Sequence, residues 1–357
     1  MKKRHIAFCV ALLCAGTLPS CSSTTAPPQS NLIPLAIHDT IELASSDRAL
    51  YVVNEGNFGK LNSSLDVVVF HSRLTTSDTT IYHGVLAGLG AGNDVAFNGD
   101  ELLVLDNGSN LLDLGSENPL QSMSALPMGV DMPNKMAVIG TNRLLVTRRA
   151  SNSAAIVDLS QSAIVDSIPL GEPSVAVAVL NNKAYITTGS YTGPWHLKIV
   201  DLVSHAVKKT IPLGGSPEQA VADSTSSNII IGMIGDYATV SPQFYFVNAT
   251  TDLIADSLTV GTPKDDAELT TGSKHFIIMG SDIYALNAPT HQLGASLVHA
   301  SSPLYKGFYD GSTNQIFAGL YDFTSGAGKV EVYDATTGLL KWSFATGIGP
   351  AHFAFYH

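Results

Sequence analysis

AIVDLSQSAIVDSIPLGEP, at residues 155–173, contains a hydrophobic strand ending in Asp158, a polar turn, a second strand and a Gly-x-Pro sequence. The clearest further copies are KIVDLVSHAVKKTIPLGGSP at 198–217, YFVNATTDLIADSLTVGTP at 245–263 and VEVYDATTGLLKWSFATGIGP at 330–350. The Asp or Asn that ends each first strand recurs every 39 to 47 residues. A short carboxylate or amide there predicts an Asx turn, in which the side chain bonds its own turn backbone. A period of about 40–50 residues built only from strands is typical of β-propeller blades.

Seven such copies predict an all-β, seven-bladed β-propeller over residues 49–357. Blade 1 begins at Ala49–Asn54 and lacks a first strand of its own. The segment Pro350–Tyr356 at the other end of the sequence supplies a matching strand. We expect this C-terminal strand to close the ring beside blade 1, because an open ring leaves unpaired backbone groups on both terminal blades. The segment Leu32–Ile37 either pairs on an outer edge or is a linker.

The N-terminus has the pattern of a bacterial lipoprotein signal. A basic start is followed by an apolar run too short to span a bilayer, so residues 1–20 are predicted to be a signal peptide. The run ends in Leu18-Pro19-Ser20-Cys21, which resembles a lipobox, and predicts lipidation of Cys21. An ordinary secretory signal with a spare thiol is the alternative. Residues 21–48 then form the lipidated Cys and a flexible tether. We expect an outer-membrane lipoprotein facing either the surface or the periplasm.

Composition narrows the class of partner. The formal net charge is −11, and the predicted signal peptide removes three basic residues and no acidic ones. An acidic body argues against nucleic-acid binding. Charged residues are only 14% of the chain, which fits a secreted all-β domain rich in turns.

The predicted B–C loops of blades 1, 4, 5 and 7 are long and carry aromatic residues. Exposed aromatic side chains on loops often serve recognition, because they offer a large and stiff contact area. The alternative is that these rings cover only their own loops. Together with the polar residues beside them, the candidate ligand-binding face consists of Asn54, Glu55, Asn57, Phe58, Arg148, Tyr191, Trp195, Tyr237, Tyr321 and Phe323.

Polar residues at the starts of the inner strands should line a central channel. They are Asn93, Asp94, Asn134, Lys135, Glu218, Gln219, Asp265, Asp266, Lys306 and His352. Either they form a solvated lining or they contact a ligand. Several of them could imitate the calcium shell of lactonase-type propeller hydrolases. No spacing typical of a catalytic or metal motif is present, so we assign no catalytic residue, metal ligand or cofactor.

The most specific motif is LYVVNEGNFG at residues 50–59, followed by NSSL at 62–65. It resembles the opening blade of a Bacteroidota-centred family of propeller lipoproteins related to the YVTN repeat proteins. The resemblance covers roughly residues 49–357. Members of that family include surface lipoproteins that bind cobalamin above a TonB-dependent transporter. The resemblance therefore implies a small-molecule ligand, with cobalamin or another corrinoid as the candidate, and such a transporter as partner.

The sequence thus predicts a tethered, non-enzymatic binding propeller that captures a small molecule on the B–C loop face. Two alternatives stay open. One is a protein-interaction scaffold of the cell envelope, which would co-purify with partners. The other is a calcium-dependent, lactonase-like hydrolase, which would lose activity with a chelator.

Overall fold

The computed structural model describes residues 32–72, 78–116, 118–189, 193–223, 225–236 and 238–356. Within these ranges the chain is all β, with thirty strands and no helix. The strands form seven small sheets arranged in a ring, which is a seven-bladed β-propeller. The prediction of the fold class is confirmed.

The strands follow one another in chain order, blade by blade. Strand β1 is Ile33–Leu35. Blade 1 contains β2 (Arg48–Asn54), β3 (Ser63–Phe70) and β4 (Thr79–Leu89); blade 2 contains β5 (Gly92–Asn98), β6 (Glu101–Asp106), β7 (Leu111–Ser116) and β8 (Met123–Pro127). Blade 3 contains β9 (Pro133–Gly140), β10 (Arg143–Arg148), β11 (Ser153–Asp158) and β12 (Ala163–Pro169); blade 4 contains β13 (Ser174–Leu180), β14 (Lys183–Thr188), β15 (His196–Asp201) and β16 (Ala206–Pro212).

The remaining strands complete the ring. Blade 5 contains β17 (Ser216–Asp223), β18 (Asn228–Ile234), β19 (Gln243–Asn248) and β20 (Leu253–Thr259). Blade 6 contains β21 (Ala267–Leu269), β23 (His275–Met279), β24 (Asp282–Asn287) and β25 (Gln292–His299), with β22 (Thr271–Gly272) pairing in parallel with blade 7. Blade 7 contains β26 (Leu304–Asp310), β27 (Gln315–Leu320), β28 (Gly328–Asp334) and β29 (Leu340–Thr346), and β30 (Pro350–Tyr356) ends the series.

Strand β30 is the inner strand of blade 1, as predicted. It pairs antiparallel with β2, where Val52 faces Phe353 and Leu50 faces Phe355. The ring is therefore closed by backbone hydrogen bonds between segments about 300 residues apart. This pairing removes the open edge that blade 1 would otherwise present to the channel.

The segment before blade 1 lies along the outer edge of blade 2. Strand β1 pairs with β8, and Ile41 forms a further bridge with Leu120. Leu43 exchanges two hydrogen bonds with the amide of Asn118, at 3.0 and 3.1 Å. Of the two alternatives for Leu32–Ile37, edge pairing is the one observed. The described part of the predicted tether is thus attached to the propeller.

The core is divided among the interfaces between blades. Seven clusters of buried hydrophobic residues occur in the described chain, one for each pair of adjacent blades. In one of them Leu103 of blade 2 packs with Leu144 of blade 3. The outer turns are held by the Asp and Asn markers: Asn248, for example, accepts the backbone N–H groups of Thr250 and Thr251, both at 2.9 Å. The predicted Asx turns are confirmed.

Candidate ligand-binding channel

The inner strands of the seven blades surround a central channel that contains two adjoining cavities. We call the cavity at the end of the B–C loops the mouth; its volume is about 310 Å³. We call the other the channel compartment; its volume is about 480 Å³. Four residues line both and form what we call the charged belt. The belt consists of Lys135, Glu218, Lys306 and His352.

The mouth is mostly polar. Its lining includes Glu55, Asn93, Asn134 and Arg149, and beside them Phe58, whose side chain is 89% exposed. Several convergent polar groups, which fix the orientation of a ligand, here lie beside one exposed aromatic ring. The positions come from three blades, since each B–C loop or strand start reaches the same rim.

Glu55 joins blade 7 to the closing strand. Its carboxylate accepts a hydrogen bond from the Tyr305 hydroxyl at 2.6 Å and one from His352 Nε2 at 3.2 Å. Burial alone would raise the pKa of Glu55, but the interactions with His352, Lys306 and Tyr305 outweigh it and lower that pKa to about 2. Glu55 is therefore a fixed negative charge at the rim at neutral pH.

His352 and Lys135 are two belt residues that contact each other. Lys135 Nζ donates to His352 Nδ1 at 3.2 Å and also to the carbonyl of Asn93. Burial, and then the charge of Lys135, lower the pKa of His352 to about 4, so the imidazole is neutral at pH 7. A neutral ring with Nδ1 accepting from Lys135 and Nε2 donating to Glu55 satisfies both contacts.

The other belt charges are paired across blades. Arg149 forms an ion pair with Glu218, and its Nε donates to Asn134 Oδ1 at 2.9 Å. Lys306 Nζ contacts Glu268 Oε1 at 2.9 Å. Burial alone would lower the pKa of Lys306, but the carboxylates around it, Glu268 first, raise it. These ion pairs tie blade 3 to blade 5 and blade 6 to blade 7.

The channel compartment differs from the mouth because its walls are mainly apolar. Below the belt its lining includes Phe97, Phe308 and Phe355, which come from three different inner strands. Each of the three rings is only half-buried. The channel therefore changes along its length from a polar rim, through a charged belt, to an aromatic and aliphatic chamber.

Two residues of the predicted face are parts of the loop scaffold. Asn54 is fully buried, and its Nδ2 donates to Ser64 at 3.1 Å. The backbone N–H of Asn57 donates to the side chain of Asn62 at 2.8 Å. Gly56, with φ +70°, has no space for a Cβ atom beside the Asn62 side chain. The NEGNFG motif thus builds a tight loop that presents Glu55 and Phe58 to the mouth.

Arg148 lies away from both cavities. Its side chain is buried, bonds Asp131 at 2.5 Å and also contacts Ser153 and Ser167. These contacts tie strands within blade 3 and the connection before it. Its neighbour Arg149 is the arginine that lines the mouth.

The aromatic residues of the long loops occupy different environments. Tyr321, 57% exposed, and Phe323 form a three-ring cluster with Tyr305, with centroids 5.3 to 5.4 Å apart. Trp195 is half-buried against the core between blades 4 and 5. Tyr191, Tyr237 and the lipidation candidate Cys21 lie outside the described residues. The cluster around Tyr305 is thus the aromatic group next to the Glu55 side of the mouth.

The carboxylates considered for a calcium shell are not assembled into one. Asp94 accepts the backbone N–H groups of Val95 and Met136, and Asp265 accepts that of Thr262 in its own turn. Asp265 and Asp266 line neither cavity. Across the described residues, no three His, Cys, Asp or Glu side chains are placed to hold one metal ion.

Sequence reasoning missed three contributors to the site: Arg149 as a mouth residue, Tyr305 and Glu268. The sequence shows an adjacent basic pair, Arg148-Arg149. Which of the two side chains faces the channel depends on the strand register, which the sequence alone does not give. Tyr305 directly follows the start of an inner strand, a position where polar residues were already expected in other blades.

In the described part of the chain, no helix is long and apolar enough to cross a membrane.

Comparisons with known proteins identify the fold. No family model matches the sequence, and no curated protein matches it either. Among solved structures, hydrazine synthase of Kuenenia stuttgartiensis is similar with a TM-score of 0.62 and 11% identity, covering 73% of this chain and 88% of that one. Apo AztD from Citrobacter koseri is similar with a TM-score of 0.56 and 11% identity, covering 87% and 98%. The computationally designed protein Ika8 has a TM-score of 0.52 and 9% identity, covering 73% and 89%. At such identities the likeness shows a shared β-propeller fold.

Proposed function

We propose that this protein is a binding propeller that captures a small-molecule ligand at the mouth of its channel. The observation that carries the proposal is the convergence of Glu55, Phe58, Arg149 and His352 on one cavity at the B–C loop end. These side chains come from loops and strands of blades 1 and 3, and Arg149 and Glu55 are held by inter-blade hydrogen bonds, to Glu218 and from Tyr305 respectively. A rim held in place in this way loses little side-chain entropy on binding, which favours ligand capture.

A corrinoid is the ligand class that we propose. The support comes from the NEGNFG motif, whose loop presents Glu55 and the exposed Phe58 at the mouth. A corrinoid has apolar flanks and an amide-bearing rim. Phe58 and the exposed Tyr321 offer aromatic contact area, while Glu55 and Asn93 offer acceptors for amide N–H groups. The macrocycle would lie across the face above the mouth, because the mouth of about 310 Å³ holds only part of so broad a ligand.

The cellular setting that we propose follows from the N-terminal sequence. Lipidation at Cys21 would attach the chain to the outer membrane, and a TonB-dependent transporter would receive the ligand. Membrane fractionation of the full-length protein tests the attachment, because a Cys21→Ser variant should move to the soluble fraction. Retention of that variant in the membrane would contradict lipid anchoring.

The ligand is tested by calorimetric titration of residues 31–357, which contain every described strand and core cluster, with cyanocobalamin. We expect saturable binding that a Phe58→Ala/Tyr321→Ala double variant weakens at least tenfold. The matched control is Leu339→Ala, which removes an apolar side chain that is 66% exposed in an outer turn of blade 7.

Two results would count against the proposal. Absence of heat and of thermal stabilisation with cyanocobalamin and with dicyanocobinamide would remove the corrinoid. Equal binding by the double variant and the control would remove the mouth as the site. In the first case, co-purification of a specific partner protein would favour the scaffold function.

A further inference from the structure

The channel compartment has a volume and an apolar lining below the charged belt that the proposed mouth site does not use. Its volume of about 480 Å³ falls within the range of small-molecule sites. Phe97, Phe308 and Phe355 are the fifth or sixth residues of their inner strands, so they lie at one level of the channel. Leu269 and Val221 add aliphatic surface. A chamber lined in this way is unfavourable for ordered water and favourable for hydrocarbon.

The polar end of the chamber contains one cation that lacks a carboxylate partner. Among the described residues no Asp or Glu oxygen lies within 4.0 Å of Lys135 Nζ, which donates instead to the Asn93 carbonyl and to the neutral His352. An ammonium has three donors, and two are used here. Burial lowers the pKa of Lys135, because a buried ammonium loses its hydration, and the charge of Asp94 offsets only part of this effect.

The carboxylates near the chamber are already engaged. Asp94 accepts two backbone N–H groups, and Glu218 is paired with Arg149. Glu268 is paired with Lys306 through one oxygen, and its other oxygen, though without a hydrogen-bond partner, is buried away from solvent. A cationic ligand would therefore find no free carboxylate at the belt, whereas an anionic one would find Lys135.

We propose that the channel compartment is a second binding site, for an amphipathic monocarboxylic acid. Its hydrocarbon part occupies the chamber between Phe97, Phe308 and Phe355, and its carboxylate pairs with Lys135 at the belt. This site is separate from the corrinoid proposed at the mouth and does not depend on it.

The charged side chains of the cavity favour a ligand whose head group carries a single negative charge. Lys135 offers one positive charge that no carboxylate of the described residues contacts directly, while Asp94 and Glu218 line the same cavity. A phosphate dianion would be repelled by these two carboxylates, whereas a carboxylate brings only the charge that Lys135 balances. The ligand class is therefore a medium-chain fatty acid or an aryl-alkyl carboxylic acid.

The test is calorimetric titration of residues 31–357 with decanoate, below its micellar concentration. The unmodified protein should bind one decanoate per chain, and should bind decanol and decylammonium at least tenfold more weakly. This comparison of head groups requires no variant, so it stands even if a substitution perturbs folding. Acetate, which has the charge without the chain, should not bind measurably.

Two variants locate the site. Lys135→Met keeps the length of the side chain but removes its charge, and should weaken decanoate binding at least tenfold. Ala220→Phe, at a half-buried position of the chamber lining, should abolish binding by filling the space. The matched control is Lys208→Met, which removes an exposed lysine from an outer strand and should leave binding unchanged. Thermal melts confirm that each variant is folded.

Absence of decanoate binding, or equal binding of decanoate, decanol and decylammonium, would overturn the proposal. So would decanoate binding that survives in both Lys135→Met and Ala220→Phe. The mouth variant Phe58→Ala/Tyr321→Ala separates the two proposals, because it should retain decanoate binding. Failure of cyanocobalamin to bind therefore leaves this site standing, and failure of decanoate leaves the mouth site standing.

Discussion

Two groups of charged side chains in this propeller differ in their surroundings. At the seam where blade 7 meets blade 1, Arg48 is fully buried between the rings of Phe70 and Phe355, at 4.9 and 4.6 Å from their centroids. Its Nη1 bonds Asp310 at 2.6 Å. The charged belt, by contrast, separates two cavities and lines both.

The difference indicates what each group does. A charge enclosed by aromatic rings and one carboxylate can only stabilise the closed ring, since no ligand reaches it. Charges that border cavities can exchange their partners with a bound molecule. Burial of a charge alone therefore does not mark a candidate site here, whereas a charge that borders accessible volume does.

The largest expected effect is at the seam. Arg48→Ala leaves Asp310 buried without its partner and removes the contact with both rings, so we expect the free energy of unfolding to fall by about 3–5 kcal/mol. The matched control is Arg143→Ala, because the Arg143–Asp158 pair is 3.8 Å long and its arginine is 51% exposed. That control should cost about 0–1 kcal/mol. Denaturant unfolding measures both, and losses within 1 kcal/mol of each other would refute the contrast.

The next prediction concerns a buried carboxyl group that has no hydrogen-bond partner in the part of the chain that the structure describes. Asp113 in blade 2 is buried, and neither of its carboxyl oxygens has a hydrogen-bond partner among the described residues. Burial, and then the nearby charge of Asp106, raise the pKa of Asp113 from 3.8 to about 8. The unfolded chain therefore releases this proton at lower pH than the native chain, and stability is lost as pH rises between about 4 and 8.

We accordingly expect Asp113→Asn to match the unmodified protein near pH 4 and to exceed it by about 1–3 kcal/mol at pH 8. Urea unfolding at a series of pH values measures the difference. A gap that stays constant with pH would show that Asp113 does not titrate in this range.

The smallest effect is expected within the belt. The hydrogen bond and charge of Glu55 raise the pKa of His352, against the larger effects of burial and Lys135, to give a value of about 4. Glu55→Gln should therefore lower that pKa further. Titration of the His352 ring signals by NMR measures the midpoint in both proteins, and an upward shift in the variant would contradict the assigned network.

The repeat phrase was enough to predict the fold, because each copy specifies the same two strands and Asx turn. The closing strand was predictable as well, since Pro350–Tyr356 follows the same Gly-x-Pro signal as the other inner strands. Its pairing with β2 is then required to complete blade 1.

The site was only partly predictable. Polar strand starts indicated the belt positions Lys135, Glu218, Lys306 and His352, all of which line the channel. The partner of each charged side chain could not be predicted from the sequence. Glu55 and His352, for example, are 297 residues apart and become neighbours only when the ring closes. The apolar chamber gave no signal either, since Phe97, Phe308 and Phe355 resemble ordinary core residues in their own strands.

Strand β30 also has a consequence for how the molecule is made. This one strand supplies both His352 to the belt and Phe355 to the chamber, and its partner strand β2 begins at Arg48. During synthesis, blade 1 remains incomplete until the six other blades have been synthesised. Contacts of such long sequence separation form slowly. Until then neither the ring nor its central channel exists, so a chain interrupted before Pro350 would lose its stability and its candidate sites together.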